Sequence, residues 1–152
     1  MKNSKNTMER LQTIATLLTQ QADGHELQSR IFKNQGFSKL AQKYEEHASE
    51  ERGYVNQFVD RILDLGGSVK NQTKQETSII EDAVDWIEYD FKVSQNGLEG
   101  ILGIMDELAA DITTYDLLKT YYKDEEEDMY WSEQQLDLIK LIGKENWLYN
   151  QM

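Results

Sequence analysis

Six residues of this chain have the types and spacing to do chemistry together: His25, His47, Glu51, Asp90, Glu125 and Asp128. Each falls where a helical hydrophobic seam, read at steps of three and four, turns inward. Leaving a carboxylate buried without a partner costs on the order of several kcal/mol. A fold that brings these groups to one level therefore either binds a cation or satisfies them with hydrogen bonds and water. Glu51 and Glu125 are pinned inward most firmly, because apolar seam residues flank both: Tyr44 and Phe58 around the first, Leu118 and Tyr121 before the second.

The elements that must position them are helices. Proline is absent, so nothing forces a break through a locked φ and a missing N–H. The first helix should run from about Ser4 to Gln35 and stop at Gly36, with an inward face from Leu11 through Leu18, His25 and Phe32. The second should start at Ser38 as N-cap, carry Tyr44, His47, Glu51 and Tyr54 inward, and end at Gly66–Gly67. The polar, aperiodic stretch from Gly66 to Thr77 is too long for a hairpin turn and reads as a crossover along the bundle. Ser78 followed by Glu81 forms a capping-box pattern for the third helix, which should run to about Ala110 with Ile79, Asp90 and Ser94 inward. The fourth follows a turn near 111–114 and ends near Gly143, and Lys144 to Tyr149 form a short tail helix. Short link, long link, short link predicts an all-α, ferritin-like four-helix bundle with a long crossover. The 152 residues are expected to form one domain, 1–152.

The charge narrows the partners. A formal net charge of −12 repels nucleic acid and anionic membrane, so neither is expected as a partner. Cysteine is absent, which excludes disulfides and thiolate metal sites and fits a reducing compartment. The N-terminal MKNSKNTMER holds no apolar leader and no stretch reaches the length of a membrane span, so a cytoplasmic location is expected.

Several short motifs carry a resemblance. Arg30-Ile31-Phe32-Lys33-Asn34 with Gly36, Asp60-Arg61-Ile62-Leu63, Glu81-Asp82, Asp124-Glu125-Glu126 and Leu136-Asp137-Leu138-Ile139 occur in the order and register of the bacterioferritins, which the chain resembles over nearly its whole length. The resemblance implies an iron-storage subunit that pairs into dimers and assembles into a hollow 24-subunit shell, with haem between paired subunits. It also implies a di-iron centre that oxidises Fe²⁺, built from a Glu on each of two helices and a Glu-x-x-His on each of the other two. Much of that set is replaced here. The first-helix glutamate position is Leu18; on the second helix Glu51 is kept but the histidine position is Tyr54. The third-helix position is Ser94; on the fourth, Glu125 is kept and Asp128 stands at the histidine position. The haem methionine position is Arg52, which has no electron pair for iron, so haem is not expected. Glu46 and Glu50 match positions that face the storage cavity and can bind iron there.

These substitutions lead to an expectation and two alternatives. The expectation is a storage or cage subunit with a degenerate ferroxidase centre, adding shell and acidic interior, alone or with other bacterioferritin subunits that keep the centre. One alternative is a non-catalytic ferritin-like binding or structural protein. The other is a rearranged metal site, in which His25, Glu51, Glu125 and Asp128, with His47, hold zinc or a single iron.

Overall fold

The computed structural model describes residues 4–152 of the chain; the first three residues of the N-terminal segment read above lie outside it. Four long helices form the bundle: α1 Ser4–Gln35, α2 Ser38–Asp64, α3 Ala83–Glu107 and α4 Ile112–Ile142, with the short α5 Lys144–Tyr149 behind them. No helix is long and apolar enough to cross a membrane among the described residues. Gly36 and Gly66 end α1 and α2 at φ +88° and +81°, a conformation costly for any side chain with a Cβ. The first helical residue of α2 is Ser38 itself, one position later than its predicted role as cap; the Lys39 N–H is met instead by the Gln151 backbone oxygen at 3.0 Å. Asp111 caps α4 by accepting from the Thr114 backbone N–H at 3.1 Å, and Arg61 of α2 reaches the same carboxylate at 2.9 Å. That contact ties the α3–α4 turn to the second helix.

α1 packs along α2, and α3 along α4. Burial is divided between two apolar clusters. One holds Leu11, Leu18, Phe58, Ile62, Ile101 and Leu118. The other, at the opposite end, holds Phe32, Leu40, Tyr44, Trp86 and Ile87 and is closed by Trp147 of α5, 1% exposed, whose indole N–H donates to Gln135 at 3.0 Å. The polar centre lies between the two clusters.

The crossover, residues 65–82, is held against α1 by side-chain amides. Gln12 pairs with both backbone groups of Lys70, accepting its N–H at 2.8 Å and donating to its oxygen at 3.0 Å. Gln20 accepts from the Gln75 N–H at 2.7 Å. Gln28, fully buried, pairs with both backbone groups of Ile80 at 3.1 and 2.9 Å. Eight residues of helix rise about 12 Å, and five residues of extended chain can span that distance, so a glutamine at every eighth position of α1 meets every fifth residue of the crossover.

This strap corrects the expected start of the third helix. Ser78 and Glu81 form no capping box. Ile80 is engaged by Gln28 on both backbone groups, which holds the segment off helical geometry, and Asp82 caps α3 instead, accepting from Asp85 N–H at 3.0 Å. Ile79, expected inward, is 41% exposed, and α3 ends at Glu107, short of Ala110.

Candidate metal centre

The centre is assembled from four helices. α1 contributes His25, α2 contributes His47 and Glu51, α3 contributes Asp90 and Ser94, and α4 contributes Glu125 and Asp128. All but Asp128 are buried; its side chain keeps 21% of its exposure.

His25 organises one half. Its Nδ1 lies 2.5 Å from Glu51 Oε1 and its Nε2 lies 2.8 Å from Asp90 Oδ1, so one ring spans three helices. The Tyr44 hydroxyl approaches the other Asp90 oxygen at 3.4 Å. Burial alone would lower the pKa of this imidazole, but the two carboxylates, Asp90 foremost, outweigh it and hold His25 well above its ordinary value. Burial raises the pKa of Glu51, and the contact with His25 restrains that rise.

The other half has no such cation. Glu125 accepts from the Ser94 hydroxyl at 3.1 Å; burial, followed by the charges of Glu51 and Asp90, pushes its pKa up to about 7. Asp128 is pushed up to about 8 by burial and by its neighbours Glu125, Glu50 and Asp124. It faces His47 Nε2 at 3.4 Å, and burial with the nearby His25 lowers the His47 pKa to about 3. At neutral pH His47 is therefore uncharged and the Asp128 carboxyl is mostly protonated. The space left beside Glu51, Glu125 and Asp128 is a cavity of about 10 Å³, walled by Tyr54 and Tyr121, with room for a single water-sized particle.

Thus the structure brings together five of the seven residues proposed from sequence: His25, His47, Glu51, Glu125 and Asp128. Glu46 stands outside on the exposed face of α2, and Glu50, also exposed, lines the rim of the small cavity beside Glu51 and Asp128. Asp90, grouped with those five on the inward seam from sequence but left out of the rearranged metal site, joins the cluster as well; its signal was a lone acidic residue on that seam, one turn before Ser94.

A family model described as a ferritin-like domain matches residues 9–142. The chain belongs to the ferritin-like family. It is similar to a bacterial ferritin of Neisseria meningitidis serogroup B, 34% identical over 134 residues that cover 86% of each chain. A bacterial ferritin of Pseudomonas aeruginosa is 30% identical over an alignment of 158 positions, gaps included, that covers 100% of each chain. A bacterioferritin of Brucella melitensis is 27% identical over 150 residues, 97% of this chain and 92% of that one.

A ferritin-like di-iron pair takes a carboxylate from each of four helices and imidazoles with a free nitrogen. In this member of the family Leu18, at the first of those positions, is 3% exposed and packed in the apolar cluster. Ser94 donates to Glu125, and both ring nitrogens of His25 are engaged by carboxylates. No group of three or more His, Asp or Glu among the described residues is arranged to hold a metal ion. The residues present do not fit a di-iron group. Arg52, at the position read as the haem methionine, pairs with Asp23 at 2.8 Å and Glu26 at 2.6 Å.

Proposed function

We propose that this chain is a bacterioferritin-like subunit of a cytoplasmic iron-storage shell whose own ferroxidase centre is lost. It supplies wall and acidic interior, by itself or beside subunits that retain the centre. The observation that carries the reading is Leu18: α1 is committed to the apolar core at the height where an oxidising centre needs its carboxylate. Iron is then cargo, gathered by surface carboxylates and not oxidised at an internal site. Glu46 and Glu50 are suited to that role. Burial and the surrounding Asp124, Glu46 and Glu127 raise the pKa of Glu50, as expected of a dense acidic face that favours cations. Haem has no part in this reading, nor has nucleic acid or membrane.

Self-association is supported by apolar side chains left in water. Leu17 is 60% exposed, Leu141 79% and Tyr149 75%, on opposite parts of the chain. The test is light scattering on protein purified without added metal, followed by stopped-flow Fe²⁺ oxidation. A shell-sized mass with oxidation near the uncatalysed rate is expected. A fast saturating phase at stoichiometric Fe²⁺ rejects the loss of the centre. A dimer that grows no further, with or without other ferritin-like subunits, moves the protein to the non-catalytic binding class.

A further inference from the structure

The polar centre does not fit the family's metals, yet its carboxylates are buried beside one another, and something must balance them. We infer that His25 is the resident cation of this bundle: its imidazolium, donating Nδ1–H to Glu51 and Nε2–H to Asp90, stands in for a metal ion, so that the centre is complete without one.

The geometry leaves little choice. An ionised carboxylate only accepts hydrogen bonds, and a neutral imidazole has one N–H and one lone pair. Two carboxylate oxygens at 2.5 and 2.8 Å from the two nitrogens of one ring require a further proton between them, and it is shared within the triad. With both nitrogens so engaged, neither has a lone pair to offer a metal. The second Asp90 oxygen is likewise taken, by the Tyr44 hydroxyl.

The ring also does the mechanical work of a bridging ion. It links α1 to α2 and to α3, which have no other buried ion pair between them among the described residues. Aromatic rings close over it: Tyr44, His47 and Trp86 have centroids 5.4, 5.7 and 5.9 Å from that of His25. His25 and Asp90 are each 4% exposed at the floor of a cleft of about 210 Å³ between α1, α3 and the crossover, and this burial strengthens both charge-assisted bonds. On the opposing side the balance is one of charge and not of hydrogen bonds, since Glu51 Oε2 and His47 Nε2 are buried with no hydrogen-bond partner among the described residues. His47 is uncharged and does not compete as a cation, while Glu125 and Asp128 are relieved by protonation.

The inference concerns the interior of one subunit and stands whether or not the chain closes into a shell. It is tested on the full chain after treatment with chelator. Nitrogen-15 NMR at neutral pH should find both ring nitrogens of His25 protonated, with slowly exchanging N–H protons. The melting temperature should be the same with chelator and with stoichiometric Zn²⁺. His25→Leu strips the cation and leaves Glu51 facing Asp90, so it should lower the melting temperature by on the order of 10 °C. Zn²⁺ should then recover several degrees, because the cation's place is open. If His25→Leu does not fold, His25→Leu with Asp90→Asn removes charge of both signs and should restore a cooperative transition. A His25 ring with one bare nitrogen, or a wild-type melting temperature raised several degrees by Zn²⁺, overturns the inference.

Discussion

On the α1 side of the polar centre, Glu51 and Asp90 share one imidazole and are tied by it into three helices. On the α4 side, Glu125 and Asp128 have a hydroxyl and an uncharged imidazole for neighbours, and hold their protons to about pH 7 and 8. Each half holds two carboxylates within the same bundle, all buried except the partly exposed Asp128. The difference lies in what neutralises them: a fixed side chain in one, an exchangeable proton in the other. A side-chain cation is present at every pH below its own high pKa and adds a cross-link. A proton adds no cross-link, and it leaves when the solvent asks for it.

The largest effect should come from cutting the fixed pair. Asp90→Leu leaves a ring N–H without an acceptor and the Tyr44 hydroxyl without a partner, and should cost about 3 kcal/mol in urea unfolding. Glu125→Gln should do the reverse. It keeps an acceptor for Ser94 and removes a carboxylate that ionises unfavourably, so at pH 8 it should stabilise by about 1–2 kcal/mol. Equal losses from the two substitutions would erase the distinction between the halves.

The pH dependence follows from the same contrast. Glu125 and Asp128 have folded pKa values raised above their unfolded ones, so the native state holds protons that the unfolded chain has released. Their stabilisation is full at low pH and is lost as pH rises through about 7 and 8. His25, also raised, acts in the same direction. His47, lowered to about 3, opposes them only below its unfolded value of about 6.5. Between pH 6.5 and 8 stability should therefore fall with rising pH, by on the order of 1 kcal/mol per unit. Chemical denaturation across that window checks it, and Glu125→Gln with Asp128→Asn should flatten the slope.

A smaller effect probes the rim. Glu50→Gln removes a charge that helps raise the pKa of Asp128, so Asp128 should titrate lower by NMR. Stability should change by no more than about 0.5 kcal/mol, as for other exposed positions.

The helices were legible because their seams repeat over seven or more turns, and the phase of Glu51 and Glu125 followed from the apolar residues beside them. What bonds to what was not legible, because a seam fixes a direction and not the height of one helix against another. His25 was thus open to four carboxylates, and only the relative slide of α1, α2 and α3 selects Glu51 and Asp90. The false capping box at Ser78 has a similar cause. Its competitor is Gln28, fifty-two residues away from Ile80 in sequence, and local pattern carries no trace of that contact. The spacing of Gln12, Gln20 and Gln28 was in plain view, but it has meaning only beside the crossover.

Those three glutamines grip backbone, not side chains, and the grip should be written into the exchange rates of the crossover amides. Lys70, Gln75 and Ile80 each donate their N–H to an α1 amide. In native-state hydrogen exchange these three should be slow, while the residues between them, which have no helix or sheet to shelter them, exchange quickly. The crossover would then display a protection period of five, a rhythm belonging to neither helix nor strand, and one that substitutions among its own exposed side chains should leave unchanged.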